Sequence, residues 1–177
     1  MTFEMKQDKV YKIPFKGLKL GKHQFNYVIE KEFFESYPYD EFINTDLTVI
    51  VDFNKKDTML VLHFKMQGTV RINCDVSGEE FDQFIESSYE LIVNFGSEFN
   101  DDNDQILVVP HGEYELDISQ YIYEMIILSV PTKRIHPGVI DGTLKSKALD
   151  KLEELQNRKQ KEQIDPRWEK LKGLIKD

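Results

Sequence analysis

A short basic loop in the last third of the chain offers the residues best suited to contact a charged partner. Lys133, Arg134 and His136 form a compact positive patch in a chain whose formal net charge is −9. Arginine and lysine side chains on a loop can approach a phosphate backbone. A basic group at this place can equally offset the carbonyl end of the preceding predicted helix. The sequence leaves both interpretations open.

A second basic segment contains the single tryptophan of the chain. Asp165 and Pro166 are typical of a helix start, because a carboxylate caps the first N–H groups and proline suits the first helical position. Trp168, Leu171 and Leu174 then recur at three-residue steps, which places them on one helical stripe. The spacing predicts a short amphipathic helix, which is either a tethered docking element or a helix packed on the protein's own core.

Charge is divided unevenly along the chain, and the division favours the basic end as a contact surface. Residues 144–177 hold ten basic and seven acidic residues, a net +3, whereas the first 143 hold thirteen and twenty-five, a net −12. The acidic first 143 residues are expected to repel a nucleic-acid backbone. The mixed charge of residues 144–177 is also typical of a solvated helix face. The predicted partner-binding residues are Lys133, Arg134, His136, Arg167, Trp168, Lys170 and Lys172.

Other residues have the chemistry of metal ligands but not the spacing. A calcium-binding EF-hand loop that starts at Asp102 would need a glycine where Leu107 stands. The acidic stretch Glu98–Asp104 is therefore interpreted as a solvated turn between strands. No two histidines lie four residues apart, and Cys74 has no CxxC partner. The sequence predicts no metal and no cofactor.

The patterns of common catalytic sites are missing as well. The sequence contains no GxSxG nucleophile motif, no phosphate-binding P-loop and no glycine-rich dinucleotide fingerprint. Carboxylate pairs such as Glu79–Glu80 are common on protein surfaces and specify no reaction. We therefore predict no catalytic residue and a protein that is not an enzyme.

The elements that must position these residues begin with a β-rich region. Apolar and polar side chains alternate through much of the first hundred residues, which is the pattern of half-buried antiparallel strands. Short links at Asn54–Asp57 and at Gln67–Gly68 predict hairpins, and Glu32–Tyr37 predicts a helical turn that ends before Pro38. The predicted strands include Leu47–Phe53, Leu60–Met66, Val70–Cys74, Tyr89–Phe95, Ile106–Val109 and Tyr114–Leu116.

A strongly apolar segment follows the strands and has the period of a helix. The stripe that includes Ile122 and Ile126 widens until the segment is nearly apolar all round. This pattern predicts a helix over residues 118–130 that is buried against the sheet. Asp117 with Gln120 forms a capping-box pattern at its start.

Together the elements predict an α+β fold, in which an antiparallel β-sheet or a partly closed barrel is covered by the buried helix. Residues 1–135 form the predicted core domain, and residues 136–177 form the basic loop and a helical tail with a charged helix over 143–163. The longest apolar run, Met125–Leu128, is too short to span a bilayer. The first ten residues contain no apolar signal segment, and a single cysteine fits a reducing compartment. We predict a cytoplasmic protein.

Three motifs stand in a fixed order along the chain. The first is Gly68–Asp75, which contains Cys74, the second is Leu116–Pro131 with its LSVP end, and the third is Asp165–Leu171, which reads DPRWEKL. In this order they resemble the YceD family, the large ribosomal RNA subunit accumulation proteins. Each motif is weak alone, and the specificity of the resemblance comes from the ordered set, which spans most of the chain.

The chain departs from the family at positions that look like metal ligands in other members. Many members carry a CxxC-like pair in the first motif and further cysteines between the second and third motifs. Here Arg71 stands three residues before Cys74, and the linker offers His136 and no cysteine. The resemblance therefore does not carry a zinc site to this chain.

The resemblance implies a non-catalytic, cytoplasmic bacterial factor for large-subunit rRNA accumulation and ribosome biogenesis. Such a factor would bind rRNA or ribosome-assembly proteins, and it would neither bind a membrane nor act on a small-molecule substrate. One alternative is a protein-interaction adaptor that does not touch RNA, which the net −12 of the first 143 residues favours. The other is a small-molecule-binding barrel or an enzyme, which a deep pocket lined by titratable groups of perturbed pKa would favour. The sequence does not specify an oligomeric state.

Overall fold

The structure, a computed structural model, describes residues 11–162, and for residues 158–162 it describes the backbone alone. The chain forms two compact units, which consist of Met1–Ile72 with Asp82–Thr132 and of Asn73–Phe81 with Lys133–Asp177. Over the described residues, the first unit contains most of the strands and one helix, and the second contains a loop and two helices. The predicted division of the chain after residue 135 stays a prediction.

The described strands are β1 (Lys12–Ile13), β2 (Gly21–Ile29), β3 (Asn44–Lys55), β4 (Met59–Asn73), β5 (Glu80–Gly96), β6 (Asn100–Asn103), β7 (Ile106–Pro110) and β8 (Leu116–Asp117). Six of them form the sheet on which the first unit is built, in the order β2–β3–β4–β5–β7–β6. Strands β2, β3 and β4 pair antiparallel, β5 and β7 pair parallel, and β1 pairs with β8 apart from the large sheet. The predicted α+β class is confirmed, and the sheet is open rather than closed into a barrel.

The predicted alternation is confirmed most fully in the central strands. Leu47, Val49, Val51 and Phe53 of β3 are buried, while the residues between them are more exposed. The register opposes buried residues of β4 to these side chains, with Val51 facing Phe64. Because side chains on one face of a paired ladder lie directly opposite each other, this register collects the apolar residues into one core.

The hairpin predicted at Gln67–Gly68 is wrong, because β4 continues through it without a turn. Both halves of β4 pair with β3, and Gly68 lies opposite Leu47. Gly68 has a φ of +148°, and a Cβ at this position would collide with the carbonyl oxygen of Asp46 and lie 2.9 Å from the Leu47 Cα. The glycine therefore permits a close approach of two backbones rather than a reversal of the chain.

The edges of the sheet were not predicted correctly either. Strand β2 was not predicted at all, although its aromatic residues Phe25 and Tyr27 alternate with exposed polar ones. The acidic stretch interpreted as a solvated turn contains β6, which pairs with β7. An edge strand with exposed side chains needs no apolar periodicity, which explains the missing signal of β6. Strand β2 does carry the alternation that identified the other strands, and this pattern was overlooked.

The predicted apolar helix is α1 (Ser119–Ser129), but only one of its faces is buried. Ile122, Met125 and Ile126 are buried, whereas Leu128 is 84% exposed. The predicted burial of the Ile122 and Ile126 face is therefore confirmed, and the apolar character of the segment extends beyond the face that the core covers. The exposed leucine must be explained by something other than packing within the described fold.

Side-chain contacts fix the start and the flanks of α1. The Asp117 carboxylate accepts hydrogen bonds from the Ser119 N–H at 2.9 Å and from its hydroxyl at 2.6 Å. The Gln120 amide donates to Glu124 instead, so the second half of the predicted capping box does not form.

On one flank of α1 the ring of Tyr123 stacks on Tyr37, with centroids 4.0 Å apart. Tyr37 follows the 3-10 turn Lys31–Ser36, which confirms the predicted helical turn before Pro38.

The described part of the second unit contains the short helix α2 (Pro137–Ile140) and the longer helix α3 (Lys147–Glu162). The predicted helix over 143–163 therefore starts four residues later than its first predicted residue. The Ser146 hydroxyl accepts a hydrogen bond from the Leu149 N–H at 3.3 Å, which is the usual role of serine before a helix. Leu152 and Leu155 on α3 are exposed.

Truncation of the buried face of α1 tests its packing. We expect Ile122→Ala or Ile126→Ala to lower the free energy of unfolding by about 2–5 kcal/mol, because each removes buried methyl groups and leaves a cavity. Leu128→Ala is the control on the same helix and should change it by less than about 0.5 kcal/mol. Chemical denaturation measures all three. Equal effects of the three substitutions would contradict the described orientation of α1.

The close approach at Gly68 gives a second prediction. Gly68→Ala should lower the free energy of unfolding by about 1–3 kcal/mol, because its backbone conformation is unfavourable for alanine and the new Cβ meets β3. Gly112→Ala is the control, since a Cβ there has no heavy atom within 4 Å. It should change stability by less than about 0.5 kcal/mol. A Gly68→Ala variant as stable as the control in thermal or chemical unfolding would support the rejected hairpin.

Candidate functional site

Two segments that are far apart in sequence meet in the second unit. The loop Asn73–Phe81 closes on itself, because the Cys74 N–H donates to the Glu79 carbonyl and the Gly78 N–H donates to the Cys74 carbonyl, both at 2.9 Å. Gly78 adopts a φ of +74° in this turn, a conformation that glycine adopts without strain. The loop thereby presents Cys74 and Asp75 to the segment that starts at Lys133.

Asp75 and Arg134 form the first connection between these segments. The Arg134 N–H donates to the Asp75 carboxylate at 2.8 Å, and the Asp75 N–H donates to the Arg134 carbonyl, also at 2.8 Å. The guanidinium Nε lies 3.9 Å from the same carboxylate, and the arginine side chain is 25% exposed. Arg134 therefore has a structural partner already, and a phosphate at this position would compete with Asp75.

The Cys74 thiol forms the second connection. Its sulfur accepts hydrogen bonds from the N–H of His136 at 3.2 Å and from the N–H of Ser77 at 3.4 Å. Burial by itself raises the pKa of the Cys74 thiol, but these donors and the Ser77 hydroxyl outweigh burial and lower that pKa to about 7. Near neutral pH the sulfur is therefore a partly ionised acceptor that draws the two segments together.

His136 is held by both its backbone and its ring. The ring Nδ1 accepts a hydrogen bond from the Gly138 N–H at 2.8 Å, which caps the start of α2, and Pro137 occupies the first helical position. The ring also packs edge-on against Phe81, with centroids 5.5 Å apart. The imidazole that the sequence assigns to partner binding thus has a structural role at Nδ1, and its Nε2 remains for any contact with a partner.

The described part of the second unit does not supply the donor set of a structural zinc site. Such sites usually hold the metal with four protein nitrogen and sulfur ligands. Within residues 11–162, no group of three or more His, Cys, Asp or Glu side chains is arranged to hold a metal ion. Cys74 lies beside His136, but the His136 Nδ1 accepts from Gly138. The described residues therefore do not fit the zinc ion that the paired cysteines of similar sequences suggest.

The structure brings together only part of the predicted partner-binding set. Lys133 is exposed, and Arg134 and His136 are partly buried in the contacts described above. Four predicted residues lie outside the described residues, namely Arg167, Trp168, Lys170 and Lys172. Sequence reasoning missed Asp75, Ser77 and Phe81 as partners of this segment. The available signal was the family pattern, in which potential ligands occur both in the Cys74 motif and in the linker.

The family assignment is decided by a comparison with protein families. The profile of the family described as Large ribosomal RNA subunit accumulation protein YceD matches residues 62–175. The chain belongs to the YceD family. The family name implies a role in the accumulation of the large ribosomal RNA, and the matched range contains every predicted partner-binding residue. No curated protein and no solved structure matches the chain.

The helices were also compared with the requirements of a bilayer-spanning segment. Among the described helices of this YceD family member, none combines the length and the apolar character needed to cross a membrane. The longest, α3, is a charged helix with exposed side chains through residue 157.

The sulfur contacts give a prediction about pH. A thiol whose pKa is lower in the folded chain than in the unfolded chain stabilises the fold above the unfolded pKa, and this contribution is lost as pH falls through the folded pKa. We expect the stability of the native chain relative to Cys74→Ser to increase from about pH 7 to about pH 9. The Cys74→Ser variant retains an acceptor oxygen that does not titrate in this range.

Two measurements check this prediction. Ultraviolet absorbance of the thiolate should titrate with a midpoint near pH 7 in the folded protein, and denaturation at several pH values should give the stability difference. A midpoint near 9, together with a stability difference that does not change with pH, would mean that the N–H donors do not stabilise the thiolate.

Proposed function

We propose that this YceD family member is a non-catalytic, cytoplasmic factor that promotes accumulation of the large ribosomal RNA by binding rRNA or an acidic assembly partner. The observation that carries the proposal is the family match over residues 62–175. This range includes residues 144–175 of the basic end of the chain, where nine lysines and arginines stand against six acidic residues. Basic groups that neutralise phosphates supply most of the affinity in sequence-independent binding to nucleic acid.

The proposed contact surface consists of the basic loop and the tail rather than the sheet. The first 143 residues carry a net charge of −12, which opposes the approach of a phosphate backbone over most of that region. Lys133 is exposed and is the described residue best placed for such a contact. In the tail, Arg167, Lys170 and Lys172 supply further positive charge, and Trp168 supplies a large aromatic surface that can anchor a partner.

Arg134 and His136 are proposed to contribute less to partner binding than Lys133, because both already have structural partners. Because Asp75 already engages Arg134, a phosphate gains less from this arginine than from an unengaged lysine. His136 uses its Nδ1 to cap α2, which leaves only the opposite side of the ring for a partner. We propose that these two residues hold the shape of the loop and add a minor part of the binding energy.

Binding without catalysis is supported by the family description, which names an accumulation protein and no reaction. The alternative of a small-molecule-binding barrel loses the barrel, because the sheet is open. A small-molecule-binding protein or an enzyme keeps the support of a pocket in the first unit that is lined by Tyr89 and Tyr121, two groups whose pKa values are raised. The alternative of a protein-interaction adaptor keeps the support of the net charge of −12 over the first 143 residues. One accumulation factor could bind a protein, rRNA or both.

A charge-removal experiment tests the contact surface. The fourfold variant Lys133→Gln, Arg167→Gln, Lys170→Gln and Lys172→Gln should keep the stability of the native chain and lose most of its association with pre-ribosomal particles in cell lysate. The residual association should also depend less on salt, because fewer counterions are released on binding. Co-sedimentation with the particles over a salt series, with and without ribonuclease, measures both effects.

The matched control removes the same number of charges from the first unit. Lys16, Lys19, Lys22 and Lys56 are exposed there, and their replacement by glutamine should leave the association unchanged. An equal loss in both variants would indicate a general charge effect, and an undiminished association in the first variant would reject the proposed surface. If the native chain does not associate with the particles at all, the proposed function is wrong.

A further inference from the structure

A groove in the first unit has an apolar floor and exposed apolar edges. It lies between α1 and the strands β5, β6 and β7, with a volume of about 880 Å³. Buried side chains of Leu107, Leu116 and Met125 form part of its lining. Phe99 on one side and Leu128 on α1 also line it, and these side chains are 60% and 84% exposed. Large apolar side chains that share one exposed groove are typical of a binding surface.

The charge around this groove has a single sign. Six carboxylates line it, and no lysine, arginine or histidine is found among the described residues of the lining. One of the six, Glu115, lies 3.7 Å from the Lys12 ammonium, and Gln120 donates to another, Glu124. The acidic residues of the lining are Asp101, Asp104, Glu113, Glu115, Asp117 and Glu124. The groove is therefore strongly acidic as well as apolar.

Two tyrosines in the lining have raised pKa values, mainly because they are partly buried. Tyr89 and Tyr121 stack with ring centroids 6.2 Å apart, and the Tyr89 hydroxyl donates to the Asp104 carbonyl. Burial raises the pKa of Tyr121 to about 12, with further contributions from Tyr89 and from the carboxylates of Asp101 and Glu124. The pKa of Tyr89 is raised as well, by burial first and by nearby carboxylates second. Both tyrosines therefore remain neutral hydrogen-bonding groups.

From the charge and the apolar lining together, we propose that the groove binds a basic segment of another protein, in which lysines or arginines alternate with apolar side chains. The apolar side chains would cover Phe99 and Leu128, and the cationic groups would meet the carboxylates along the rim. Such segments are common in proteins that themselves bind nucleic acid. The proposal depends on the groove alone and does not require the rRNA contact proposed above.

The arrangement argues against RNA and against a small cation as the occupant. RNA would bring its phosphates to six carboxylates and would be repelled. A small cation would need only one or two of these acidic groups, whereas the six are spread over β6, the turn between β6 and β7, the β7–α1 connection and α1. Several cations on one extended polypeptide match this spread, and the apolar side chains between them match the floor.

Fluorescence anisotropy with a labelled peptide of alternating lysine and leucine tests the proposal on the full-length chain. The peptide should bind, and its affinity should fall as salt is raised. A peptide of alternating lysine and serine should bind about tenfold more weakly, because it lacks apolar contacts, and a peptide of alternating glutamate and leucine should not bind. Equal binding of the lysine–leucine and lysine–serine peptides would overturn the role of the apolar floor.

Variants locate the binding in the groove. The threefold change Asp101→Asn, Glu113→Gln and Glu124→Gln should weaken binding of the lysine–leucine peptide about tenfold. Leu128→Ser should also weaken it, without loss of stability, because this side chain is exposed. The matched control is the threefold change Glu35→Gln, Asp40→Asn and Asp57→Asn, which removes the same charge from exposed positions elsewhere in the first unit. The control should bind the peptide like the native chain.

Three further outcomes decide against the proposal. Equal loss of binding in the groove variant and in the control would show that only total charge matters. Concentration-dependent dimers that Leu128→Ser abolishes, in sedimentation measurements without peptide, would assign the groove to a second copy of the chain. Tighter peptide binding after Arg167→Gln, Lys170→Gln and Lys172→Gln would assign it to the chain's own basic segment.

Discussion

The antiparallel ladder between β3 and β4 is the constraint on which the first unit depends. Its register runs without interruption from Asn44 opposite Arg71 to Lys55 opposite Leu60. A shift by one residue would move every buried side chain of β3 to the other face of the sheet. The ladder also requires Gly68, because a side chain there would meet the backbone of β3. The sheet that supports α1 and the acidic groove is built outward from this pair of strands.

Much of this architecture could be predicted from periodicity, because burial on one face leaves a local pattern in the sequence. The pattern located β3 and α1, but it carried no information about how much of α1 the core would cover, and the apolar Leu128 lies outside the covered face. The solvated-turn interpretation of β6 was wrong, since the side chains of an edge strand need not be apolar, and the alternation of β2 was present in the sequence but overlooked. At Gly68 the usual turn preference of glycine gave the wrong result, because the residue serves a close contact between strands.

The second unit shows a different limit of sequence reasoning. Lys133, Arg134 and His136 were identified from charge alone, yet two of them have partners that no local pattern reveals. Arg134 meets Asp75 and His136 meets Cys74 across separations of 59 and 62 residues. Contacts of this range depend on the tertiary fold, and a single sequence shows them only where related proteins place matched residues in both segments. The segment that starts at Lys133 therefore combines a structural role with part of the charge on which the proposed function depends.

The composition of the outermost strands has a consequence for the behaviour of the protein in concentrated solution. Edge strands present unpaired N–H and C=O groups on which another chain can add a strand, a common route to aggregation. Strand β2 carries the exposed Lys22, Gln24 and Asn26, and β6 at the opposite edge is short and acidic. Each copy thus offers mostly hydrated side chains at one edge and a short acidic strand at the other, which discourages the pairing of edge strands between copies.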